Sequence, residues 1–136
     1  MAAFRDAQRR YYSLGEGGFE LGALLADDVR WHVPGTSAIA GEHRGRAAVL
    51  RYFDLRRDLS GGTLRITLHG ELHAGDLVVQ QADGSAELNG QRVSWRTVGA
   101  YRIAQGRIAE CWLLPLDQAA FDRAWASPGE DSQPTP

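Results

Sequence analysis

The stretch RVSWRTVGAYRIA, residues 92–104, decides the fold. Val93, Trp95, Thr97, Gly99, Tyr101 and Ile103 recur at period two, while Arg92, Ser94, Arg96 and Arg102 hold the other parity. That alternation specifies a strand with one buried face. After Gln105-Gly106 comes RIAECWLLPL, residues 107–116, apolar on both parities except for Glu110. Such a run suits a strand covered on both faces. So short a connection, with Gly106 in it, is hairpin chemistry. Two strands of this length form the spine of a bent antiparallel sheet, because long sheets curl with their own twist.

Upstream, Asn89-Gly90 marks a second hairpin turn. It is fed by a strand from residue 77 toward Leu88. Residues 64–73 alternate as well, with Leu64, Ile66, Leu68 and Leu72 on one face and Arg65, Thr67, His69, Glu71 and His73 on the other. The first part of the chain reads differently. Phe4, Ala7, Tyr11 and Leu14 sit at helical spacing, and Gly15-Glu16-Gly17-Gly18 ends that helix. Residues 19–26 predict a second short helix, 29–33 a short strand stopped by Pro34-Gly35, and 36–43 a loop. A third helix over 46–59 carries Val49, Leu50, Phe53 and Leu59 on one side, with Arg51, Arg56, Arg57 and Asp58 on the remaining surface. Residues 117–125 form a short terminal helix. The expected class is α+β: a cone-shaped, curved sheet wrapped on three N-terminal helices, with a cavity open at one end. Residues 1–126 make one domain. Residues 127–136, with three prolines and no large apolar side chain, are expected to be disordered.

Composition narrows the chemistry. A net charge of −2 offers nothing to nucleic acid or to an acidic membrane surface. All 15 basic residues are arginine, so Schiff-base and phosphate-loop lysine mechanisms are excluded. Cys111 is the only cysteine, which rules out an internal disulfide and a cysteine metal cluster. His69 and His73 stand four residues apart on a strand, about 13 Å, too far to share one metal ion. No metal and no cofactor are expected. With no membrane-length apolar run and no signal peptide, the default is a cytoplasmic protein.

LLADDVRWHVPG (residues 24–35), HRGRAAVLRYF (43–53) and GRIAECW (106–112) together resemble the SnoaL-like branch of the nuclear transport factor 2-like superfamily. That superfamily includes ketosteroid isomerase, scytalone dehydratase and limonene epoxide hydrolase. The resemblance implies an apolar pocket inside the cone and a homodimer through the outer sheet face. It carries the family's catalytic groups over poorly. The isomerase base falls at Val33 and the second isomerase acid near Gly99. The polyketide cyclase base falls at Leu113, directly after Trp112. The isomerase tyrosine corresponds to Tyr11 or Tyr12. Valine, glycine and leucine move no protons, so steroid-type isomerisation is disfavoured.

The expected ligand is a small apolar molecule held by Trp31, Val33, Phe53, Trp95, Thr97, Gly99, Tyr101, Cys111, Trp112 and Leu113. Gly99 either leaves room for ligand bulk or marks a bend in a long strand. Three polar groups are candidates for catalysis. Tyr12 would be a donor. His32 would be an acid/base by residue type, yet strand alternation sets it opposite Trp31 and Val33. Asp117 would be a base at the cavity mouth, or the cap of the helix that follows. The implied activity is a cofactor-free isomerase, cyclase, dehydratase or hydrolase. The alternative is a non-catalytic ligand-binding or dimerisation module, because Val33, Gly99 and Leu113 stand where acids would be.

Overall fold

The 92–104 stretch lies within the longest strand of a computed structural model that describes residues 1–127. The elements in order are α1 (Ala2–Leu14), α2 (Gly18–Ala23), β1 (Leu25–Val33), β2 (Gly41–Arg44), α3 (Arg46–Ser60), β3 (Arg65–Ala74), β4 (Leu77–Leu88), β5 (Gln91–Ala104), β6 (Arg107–Pro115) and α4 (Gln118–Ala124). One mixed sheet runs β2-β1-β6-β5-β4-β3. The β4–β5 and β5–β6 turns each have two residues at positive φ, Asn89-Gly90 and Gln105-Gly106. That backbone matches the twist of the flanking strands. The pairing β1–β6 is parallel and joins Trp31 to Cys111 in register. This is the α+β cone expected from the sequence.

Four local expectations give way. The second helix stops at Ala23, and Asp27 and Asp28 lie inside β1 instead of ending a helix. Residues 41–44 form an edge strand against β1 where a loop was expected. On β3 the pairing slips between Leu68 and Gly70, and the strand runs out past the helices. Leu64 is buried as expected, but Leu72 is 74% exposed. On α3, Arg56 is not on the surface: it is 4% exposed and turned into the core. The expected disordered tail falls almost entirely on residues 128–136, outside the described residues.

The core is aromatic. Trp31 meets Phe53 edge-on at 5.2 Å and Tyr101 at 5.9 Å, and Phe4 from α1 touches all three. At the other end Trp95 packs edge-on against Trp125 at 5.2 Å and Phe121 at 6.1 Å, so α4 closes that side of the cone. Each such pair adds about 0.5–1.5 kcal/mol beyond its buried area.

Two of these rings rest on glycine. Gly84 of β4 pairs directly with Trp95 of β5. A Cβ on Gly84 would stand 2.4 Å from the indole, and a Cβ on Gly99 would stand 2.9 Å from the Tyr101 ring. Missing side chains in the strands therefore let the rings lie flat on the sheet. Gly99 makes room for Tyr101 itself. Gly84→Ala should destabilise the fold by about 1–3 kcal/mol in urea denaturation, by forcing the indole off the sheet. The loss should shrink in a Trp95→Leu background, which removes the ring.

Candidate functional site

Period-two alternation turns Trp95, Thr97, Gly99 and Tyr101 of β5 inward, with Leu113 of β6 and Trp31 of β1 beside them. Helix α3 supplies Tyr52 and Arg56, and α1 supplies Arg5 and Gln8. Together with Ile66, Ala82 and Gly84 they enclose a cavity of about 20 Å³, enough by that measure for one water molecule. A wider groove of about 500 Å³ runs between α1 and β3, lined by Tyr12, Leu64, Arg65 and Leu68 among others. Arg5, Gln8 and Ile66 line both spaces, so they form the partition between groove and cavity.

The lining is more polar than the sequence suggested. Arg5 donates from Nε and Nη2 to Gln80 Oε1, from Nη1 to Gln8 Oε1 at 2.7 Å, and from Nη2 to the Tyr101 hydroxyl at 2.9 Å. Gln80 in turn donates to Glu71. Arg56 donates from Nη1 to the Tyr12 hydroxyl at 3.2 Å. Its guanidinium stands 5.2–5.3 Å from the ring centres of Tyr12, Tyr52 and Trp125. Among the described residues no carboxylate forms an ion pair with Arg5 or Arg56. Three buried donors on the lining, Trp31 Nε1, Tyr52 Oη and Arg56 Nε, have no acceptor among the described residues.

Burial, the largest influence on each, pushes the Tyr12, Tyr52 and Tyr101 phenols and the Cys111 thiol above their ordinary pKa ranges, outweighing the nearby guanidinium groups. These groups remain neutral hydrogen-bonding partners at physiological pH. Cys111 is not a nucleophile in this setting.

Of the residues expected from sequence, Trp31, Trp95, Thr97, Gly99, Tyr101 and Leu113 line the cavity, and Tyr12 lines the groove. Val33, Phe53 and Cys111 are buried in the core behind the lining. The structure places three others outside the cavity: Trp112 against expectation, His32 on the side that strand parity gave it, and Asp117 as the cap of the helix that follows. Trp112 alternates with Cys111 and Leu113 and so takes the outer face, where it stacks on His32 at 5.7 Å and 13°. His32 holds Glu110 at 2.6 Å there, joined by Arg30 at 3.1 Å and Arg102 at 3.6 Å. Glu110 thus pairs with these three rather than with Arg107 or Arg96. Asp117 is exposed and caps α4, its carboxylate accepting from the Ala120 amide at 3.0 Å. Arg5, Gln8, Tyr52 and Arg56, with Ile66, Ala82 and Gly84, are the lining residues that sequence reasoning missed. Position would have found Arg56, which follows Tyr52 by four on α3 and so shares its face. Among the described residues no cluster of three His, Cys, Asp or Glu side chains is placed to hold a metal ion. Nor is any helix among them long and apolar enough to cross a membrane.

A curved mixed sheet wrapped on helices, with a cavity inside the cone, defines a nuclear transport factor 2-like protein. The SnoaL-like domain matches residues 9–111, and the chain belongs to that family. Among solved structures it is similar to Bal32a from a soil-derived mobile gene cassette, at 27% identity over 91% of this chain and 95% of that one, with a TM-score of 0.81. It is 30% identical to a Xanthomonas campestris protein of unknown function with a cystatin-like fold, over 91% and 98% of the chains, with a TM-score of 0.75. An NTF2-like protein from Anabaena variabilis shares the fold at 12% identity, over 90% and 87%, with a TM-score of 0.73. No curated protein matches the chain.

The raised phenols carry a pH dependence. Above about pH 10 the unfolded chain releases these protons while the folded chain retains them, so stability is full below that pH and falls as pH rises. Phenolate absorbance of Tyr12, Tyr52 and Tyr101 should appear together with the loss of folded circular dichroism in an alkaline titration.

Proposed function

We propose that this SnoaL-like protein takes a small ring-bearing molecule through the α1–β3 groove and positions it against the interior donors. One observation carries the reading: a groove of about 500 Å³ meets the aromatic cavity at a partition of three side chains, Arg5, Gln8 and Ile66. The groove is the size of ordinary ligand sites, which span roughly 300–1,000 Å³. The chemistry that fits this lining is cofactor-independent isomerisation, cyclisation, dehydration or hydrolysis. In it, Arg56, Tyr12 and Tyr52 would stabilise negative charge developing on a substrate oxygen. The cavity lining holds no carboxylate and no histidine among the described residues. A substrate that brings its own acidic proton or basic atom suits it best. The same observation favours a second reading, a non-catalytic binder, since Val33, Gly99 and Leu113 replace the family's acids.

A library of cyclic small molecules screened by thermal shift separates these readings from an empty scaffold. A true ligand stabilises the chain by RT ln(1 + [L]/Kd), about 2.7 kcal/mol at about 100 times its Kd. Ile66→Trp, which blocks the partition, should abolish that stabilisation; its survival would place the ligand elsewhere. Mass spectrometry of the bound ligand then decides between enzyme and binder by the presence or absence of product.

We further propose a homodimer through the outer sheet face. Val98 pairs with Leu114 and Ala100 with Trp112 there, and Leu114 is exposed. Light scattering should give twice the chain mass, and Leu114→Asp should reduce it to one chain. A single-chain mass for the unaltered protein at high concentration would remove the assignment.

A further inference from the structure

The interior carries positive charge and supplies hydrogen-bond donors in excess of acceptors. Arg56 is buried with no carboxylate paired to it among the described residues. A guanidinium cannot shed its proton to escape burial, as a buried lysine does. Its three aromatic neighbours and the Tyr12 hydroxyl compensate that cost in part. At this point Arg56 Nε, Tyr52 Oη and Trp31 Nε1 have no acceptor among the described residues. Gln8 Oε1 and the Tyr101 hydroxyl on the lining, and Gln80 Oε1, already accept from Arg5. The groove leading in repeats the sign. Arg5, Arg9 and Arg65 line it with a single acid, Asp6, which Arg9 and Arg10 already hold at 2.8 and 3.1 Å.

We infer that the ligand of this site is an organic acid, whose anionic head reaches Arg56 and the unpaired Tyr52 and Trp31 donors while its ring-bearing body lies in the α1–β3 groove. This rests on the pocket reading above and names the class of molecule it takes. A carboxylate offers four lone-pair sites and can meet a guanidinium and a phenol together. An enolate or phenolate oxygen presents the same charge-and-acceptor chemistry. The cavity holds about one water as it stands, so entry of the head requires the Arg5 side chain to swing off Gln80. That leaves Arg5 as a second cation over the bound anion.

The test uses the full chain and matched probes: naphthalene-2-carboxylate with its carboxamide, and biphenyl-4-carboxylate with its carboxamide, each measured by isothermal titration calorimetry. Each acid should bind about tenfold or more tightly than its amide, the effect expected of charged over neutral hydrogen bonds in a buried site. Arg56→Met should abolish the gap and Arg56→Lys should keep part of it. Should Arg56→Met fail to fold, the Arg56→Lys protein and the acid-to-amide ratio of the unaltered chain still decide. The preference should persist at about 1 M salt, where exposed charges are screened. Equal binding of acid and amide would overturn the inference and leave the pocket standing. So would a preference that survives Arg56→Met or that vanishes in salt, which would belong to the rim residues Arg9 and Arg65. Failure of every probe to bind would remove the pocket reading and this inference with it.

Discussion

Arg56 takes a permanent charge into the core, and much of the interior is arranged by how that charge is accommodated. The rings of Tyr12, Tyr52 and Trp125 surround the guanidinium on three sides, drawn from α1, α3 and the end of α4. Rings compensate a buried cation through their quadrupoles, but each does so weakly, and a carboxylate would do far more. The helices are thus held to the sheet by hydrophobic packing, with a charge left at their junction that hydrophobic packing does not neutralise. A protein selected for stability alone would replace Arg56 with an apolar side chain. The retained charge is what the proposed anion recognition would use.

The sheet contributes by subtraction. Gly84 and Gly99 remove side chains at the two places where Trp95 and Tyr101 must lie flat, and the cavity occupies the space left above those rings. Tyr101 also accepts from Arg5 and so ties the sheet to α1 across the partition. Ring placement, the position of Arg5 and the closure of the cavity are therefore one linked arrangement. On the opposite face, Glu110 draws Arg30, His32 and Arg102 together and orients His32 over Trp112.

The architecture was legible because its signals are periodic. Thirteen residues of alternation in 92–104 and two short hairpin turns determine three strands and their order. The cavity face followed from the same parity, which is why Trp95, Thr97, Gly99 and Tyr101 were found. Parity also argued against His32 as an inward group, and it places Trp112 outward, a consequence that was overlooked. The departures lie where local signals are weak. The four residues of β2 are a glycine and three polar side chains with no apolar alternation, and only pairing with β1 makes them a strand. Arg56 was assigned to the surface by its type, since arginine is almost never fully buried unless paired. The rule fails here, and proposed functional sites are where local rules are expected to break.

The parallel pairing of β1 with β6 carries a consequence for how the chain assembles. Residues about 80 positions apart must meet to join β1 to the β3–β6 meander, as the Arg30–Glu110 and His32–Glu110 contacts show. Until β6 has left the ribosome, β1 has only the four-residue β2 beside it. The β3–β6 meander pairs neighbours close in sequence, whereas the β1–β6 pairing spans most of the chain. Loop-closure entropy makes such long-range docking slow relative to the hairpins. On the proposed function, the helix that borders the ligand's entrance is tied to the sheet by contacts of this long-range kind.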